Sequence, residues 1–104
     1  MTALPIHAVW LDKDTRAALK EWAWLNRSSA AAAVRAALQD IIDNAADVSV
    51  LSDTDAPSTI HLNVKAEMEF WDAAVAAASA VGPSFNSLVR RRIRKMLQEE
   101  GLLP

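Results

Sequence analysis

Residues 59–101 read TIHLNVKAEMEFWDAAVAAASAVGPSFNSLVRRRIRKMLQEEG. Ile60, Leu62 and Val64 share one parity, while Thr59, His61, Asn63 and Lys65 share the other. Successive side chains of a strand point to opposite faces, so the alternation predicts a strand with one apolar and one polar face. Phe70, Ala73, Ala74, Ala77, Ala78 and Val81 then follow the i, i+3, i+4 spacing of an amphipathic helix, which Gly82-Pro83 should stop. Ser84 caps a second helix that buries Phe85, Leu88, Val89, Ile93, Met96 and Leu97 and ends at Gly101. The order is strand, helix, helix.

The same order recurs upstream. Ile6 to Leu11 is a β-prone run closed by Asp12, a good N-cap. Leu19, Trp22, Ala23 and Asn26 mark a helix interrupted by Arg27-Ser28-Ser29. A second stripe, Ala30, Ala33, Val34, Ala37, Leu38 and Ile41, should fade near Asp43-Asn44. Between the halves, residues 45–58 turn acidic and polar, and Ser52 to Ser58 has the composition of a loop. The expected organisation is a first unit over 1–44, a linker over 45–58 and a second unit over 59–104, sharing one core. Such sharing suits a chain of 104 residues, which has little apolar surface to bury.

The second half resembles the Arc-like ribbon-helix-helix family of DNA-binding proteins. Gly82-Pro83-Ser84-Phe85-Asn86-Ser87 is similar to that family's Gly-x-Ser-x-Asn-Ser turn between its helices, with Leu88-Val89 and Ile93 following at the family's spacing. The first half is a weaker likeness, carried by Val9-Trp10-Leu11 and by Ser29 at the start of its second helix. Of the buried Arg-Glu-Arg cluster of Arc, only Arg92 has a counterpart, with Pro83 and Leu88 at the other two places.

The resemblance implies a mainly α fold: a tandem ribbon-helix-helix, single-chain pseudo-dimer with a two-stranded antiparallel ribbon that enters the DNA major groove. It assigns base reading to the outward ribbon positions His61, Asn63 and Lys65 and, in the first strand, whose outward positions are Ile6, Ala8 and Trp10, to Ala8 and Trp10. Phosphates would be held at the second-helix starts, by the free N–H groups beside Ser84, Phe85 and Asn86, with Ser29, Ala30 and Ala31 as first-half counterparts. The implied activity is that of a transcriptional regulator, a repressor that occupies an operator. An accessory DNA-binding role in plasmid transfer or partition would use the same face. A third reading keeps the fold without DNA, with Ile6, Ala8 and Trp10 docking and inhibiting a protein partner.

Charge weighs on both sides. The formal net charge of −2 disfavours a DNA ligand, whose affinity comes largely from phosphate neutralisation. Five of the six basic residues after position 56 nevertheless fall in Arg90, Arg91, Arg92, Arg94 and Lys95. That run reads either as a solvated helix face or as a supporting phosphate contact. Trp10 reads as a methyl-packing or wedge contact in DNA, or as a partner hot spot. A one-residue register slip would instead bury it.

Enzymatic chemistry finds no support. Serines 28, 29, 84 and 87 are accounted for by capping, and no nucleophile stands with a base. The absence of cysteine removes thiolate zinc sites and disulfides. His7 and His61 have opposite parity, so no metal or cofactor is expected. With no apolar run long enough for a bilayer and no secretory pattern at Met1 to Trp10, the expected location is cytoplasmic and the expected state a monomer.

Overall fold

Alternating side chains dictate which face of each strand is covered. In the computed structural model, which describes residues 4–104, the elements run β1 (Ile6–Leu11), α1 (Lys13–Leu25), α2 (Ala30–Ser49), β2 (Ile60–Lys65), α3 (Met68–Ser79) and α4 (Phe85–Glu99). β1 and β2 pair antiparallel, with Ile6 opposite Lys65, Ala8 opposite Asn63 and Trp10 opposite His61. Val9, Leu11 and Val64 point into the core, and the six residues just named point away from it. Trp10 therefore lies outward, and the register slip that would have buried it does not occur.

The helices start where side chains can satisfy their first N–H groups. Asp12 accepts from the Thr15 amide at 3.1 Å, Ser29 from Ala32 at 3.0 Å and Ser84 from Ser87 at 3.1 Å. The caps Asp12 and Glu67 are 55 residues apart, as are Ser29 and Ser84. The helix starts of the two halves thus recur with one constant offset, and the strand bounds agree with it to within one residue. Two helices end in the same motif. Ser28 N–H donates to the Ala23 carbonyl and Leu102 N–H to that of Leu97, around Arg27 at φ 49° and Gly101 at φ 75°.

Several bounds differ from the sequence expectation. α2 does not end at Asp43-Asn44; Asn44 departs from helical geometry (φ −144°, ψ 43°), but the helix resumes to Ser49 because Val48 inserts into the core. The connection between the halves is correspondingly shorter than residues 45–58. α3 ends at Ser79, ahead of Gly82-Pro83, so Val81 packs from a turn rather than from the helix. Ala73 faces solvent instead of joining its stripe, and Trp71 packs on the core beside Phe70. Asn26 is likewise exposed, serving as the C-cap of α1.

One cluster of buried side chains draws on all six elements, among them Val9, Leu19, Leu38, Ile41, Val64, Ala74, Leu88 and Ile93. The architecture is mainly helical with one two-stranded antiparallel sheet. Among the described residues, no helix is long and apolar enough to cross a membrane.

Candidate nucleic-acid interface

Pairing two strands antiparallel places their outward side chains in facing couples. The backbone N–H and C=O of Trp10 both bond outside the sheet, so Trp10–His61 is a non-hydrogen-bonded couple. Alternation along the strands makes Ala8–Asn63 and Ile6–Lys65 couples of the same kind, where side chains approach most closely. All six residues of this face are exposed, Ile6 at 61% and Trp10 at 46%. The indole of Trp10 leans on the imidazole of His61, with ring centroids 5.4 Å apart and planes at 53°.

The opposite face holds the ribbon down. His7 stacks flat on Trp71, with centroids 4.1 Å apart, and its Nε2 donates to the Ala66 carbonyl at 3.2 Å. Trp71 in turn meets Phe85 edge-on. His7 and His61 therefore stand on opposite sides of the sheet. Among the described residues, no three His, Asp or Glu side chains are placed to hold a metal ion.

The helix starts flank the ribbon edges. At α4, the Asn86 side chain accepts from the Trp10 N–H and donates to the Trp10 carbonyl, both at 2.8 Å. The expectation for Asn86 concerns its backbone N–H, which this latch does not use. Its side chain is committed to the edge of β1, leaving only its N–H, with that of Phe85, to face a phosphate beside Ser84. The hydroxyl of Ser84 is likewise occupied by the Ser87 amide. At α2 the pattern is similar but the latch differs. Ala31, 55 residues before Asn86, has no polar side chain, and Arg35 instead donates to the Lys65 carbonyl at 3.0 Å. Ser29 caps Ala32, and the N–H groups of Ala30 and Ala31 lie in the uncapped first turn.

The arginine run of α4 is neither a solvated face nor an open phosphate site. Asp53, in the connection between the halves, receives two hydrogen bonds of 2.6 Å from Arg90 and one of 2.8 Å from Ser87. Burial alone would raise the Asp53 pKa, but the bonds from Arg90, Ser87 and the Thr54 amide overcome it and hold the carboxyl at about 2. The same carboxylate holds the Arg90 guanidinium above its ordinary value. Arg91 donates to the Ser49 and Leu51 carbonyls, Arg92 pairs with Asp40, and Arg94 donates to Thr15 beside the buried Asp12. Four guanidinium groups thus fasten α4 to the connection and to the first half.

Sequence reasoning missed three residues here. Arg35 gives no signal in a pattern of helix stripes. Asp53 was legible only as loop composition, although an acidic connection facing a basic helix is a charge complement. Arg27 is exposed and lies just ahead of Ser29, in the tight turn that opens α2.

No family model, curated protein or solved structure matches the chain.

Proposed function

We propose that the chain is a tandem ribbon-helix-helix protein, a single-chain pseudo-dimer, that binds double-stranded DNA sequence-specifically and represses transcription by occupying its site. The observation that carries this reading is the outward ribbon face. It sets His61, Asn63 and Lys65 on one strand beside Trp10 on the other, with the start of α4 latched to one edge and the second turn of α2 to the other. A two-stranded ribbon fits the major groove, where Asn pairs with adenine edges and Lys with guanine. Free N–H groups at the two helix starts suit phosphates on either side.

A binding selection on random duplex DNA tests the reading. A defined sequence should be enriched, and Asn63→Ala or Lys65→Ala should cost about 1–3 kcal/mol on it, with relaxed preference at the contacted pairs. Unchanged affinity in both variants would remove the assigned face.

A second reading, a partner-binding module that inhibits a protein, draws on a separate observation. Ile6 and Trp10 leave apolar surface in water, while the α4 guanidinium groups are spent inside the molecule. On that reading Trp10→Ala abolishes cellular activity, and Asn63→Ala and Lys65→Ala leave it intact.

A further inference from the structure

The outward face of the ribbon is chemically different at its two ends, and register fixes which group stands where. The 55-residue offset between the capping residues makes Trp10 equivalent to Lys65, Ala8 to Asn63 and Ile6 to His61. Ala8 and Asn63 are also opposite each other in the sheet, so this couple lies at the centre of exchange between the halves. A symmetric reader would have like residues in each equivalent couple. Here every couple joins an apolar side chain to a polar or charged one.

One end is Trp10 with His61. The Trp10 backbone is held at both N–H and C=O by Asn86, and its indole, leaning on His61, keeps nearly half its surface in water. Such a side chain offers an anchored apolar surface and no acceptor for a base. The other end is Lys65 with Ile6, where the ammonium is exposed and the backbone carbonyl is held by Arg35. In the middle, the single methyl of Ala8 leaves the Asn63 amide space to project outward.

Resting on the DNA-binding reading, we infer that the ribbon reads a directional, non-palindromic site. It takes a thymine methyl at the Trp10–His61 end, an adenine edge at the central Asn63 and a guanine at the Lys65–Ile6 end. The C5 methyl of thymine is the apolar group that the major groove presents, so it is what the apolar face of an exposed indole can select. Asn63 makes its bidentate contact from one side only, which breaks symmetry at the centre. Lys65 donates to guanine O6 and N7.

The experiment uses the full chain and the sequence enriched from random duplexes, then duplexes with one base altered at a time. Deoxyuridine in place of thymine removes only the methyl. It should weaken binding about fourfold at one end of the site and nowhere else, since a buried methyl contributes about that factor. The effect should vanish in Trp10→Ala. 7-Deazaguanine at the opposite end should weaken binding roughly fivefold or more, and this loss should vanish in Lys65→Ala. Thermal unfolding of each variant verifies that it folds, and Trp10→Gln, which keeps a side chain on the ribbon, repeats the deoxyuridine test. A palindromic enriched site, a costless thymine replacement at both ends, or a cost that survives in both Trp10 variants overturns the inference while the DNA reading stands. Failure to enrich any sequence overturns both.

Discussion

The side chain of Asn86 ties α4 to the edge of β1 by accepting from the Trp10 N–H and donating to the Trp10 carbonyl. Its place in the Gly82–Ser87 turn was legible from sequence, but its partner lies 76 residues away in β1, and no local pattern names a partner at that distance. The same holds for Asp53, which composition places in a loop and the fold places among Arg90, Arg91 and Ser87. By contrast, the outward positions His61, Asn63 and Lys65 followed from strand parity, because alternation is a local property, whereas in β1 both faces are apolar and only the register with β2 turns Ala8 and Trp10 outward. Two predictions belong here. Asn86→Ala should lower stability by about 1 kcal/mol through loss of two partly solvated hydrogen bonds, and should speed hydrogen exchange at the Trp10 amide. Protection of that amide left unchanged would show that the latch is not formed in solution. Asp53 supplies the pH dependence. Its folded pKa, about 2, lies below the ordinary 3.8, so its contribution is present in full above the ordinary value and is lost as pH falls toward 2. With 19% of the carboxylate side chain still in water, that contribution is about 1 kcal/mol after screening. Denaturant midpoints for wild type and Asp53→Asn should differ by a constant amount above about pH 5 and converge as pH falls through 2 toward about 1. A gap that persists at low pH would sink this account.

At the scale of elements, stripes and caps gave the order of strands and helices, while the ends were set by tertiary contact. α2 passes Asn44 because Val48 beyond it enters the core, a tertiary contact that local composition does not contain. The α1–α2 turn shows the reverse. Arg27 takes a left-handed conformation at φ 49°, where a side chain costs about 1–2 kcal/mol and where the equivalent place after α4 holds Gly101. Keeping an exposed arginine there, next to the Ser29 helix start, is explained on the DNA reading if its charge meets a phosphate. Arg27→Gly should therefore raise stability by about 0.5–1 kcal/mol and yet weaken binding to all duplexes alike, lowering the salt slope by roughly 0.9. Calorimetry and salt titrations measure the two effects. Higher stability with unaltered DNA affinity would leave Arg27 without that role.

Viewed as a whole molecule, the two halves depend on each other. Neither strand has a partner within its own half, and the buried cluster takes side chains from every element, so each half alone would expose Val9 or Val64 together with one side of α2 or α4. A connection from Val50 to Thr59 joins them, and Asp53 pins it to α4 partway along. Covalent linkage makes strand pairing intramolecular, so the unfolding midpoint of the intact chain should not change with protein concentration. Cutting the connection between Ala56 and Pro57 removes that advantage while leaving every core contact and the Asp53 clamp in place. With an effective concentration on the order of 1 mM and protein at about 10 µM, the cut should cost about 2.7 kcal/mol and make the midpoint rise with concentration. Thermal unfolding of intact and nicked protein over a hundredfold concentration range gives the answer. A concentration-dependent intact chain would mean that each half pairs with another molecule. A nicked chain with a fixed midpoint would mean that the halves fold alone, and the shared core would then not be the source of stability.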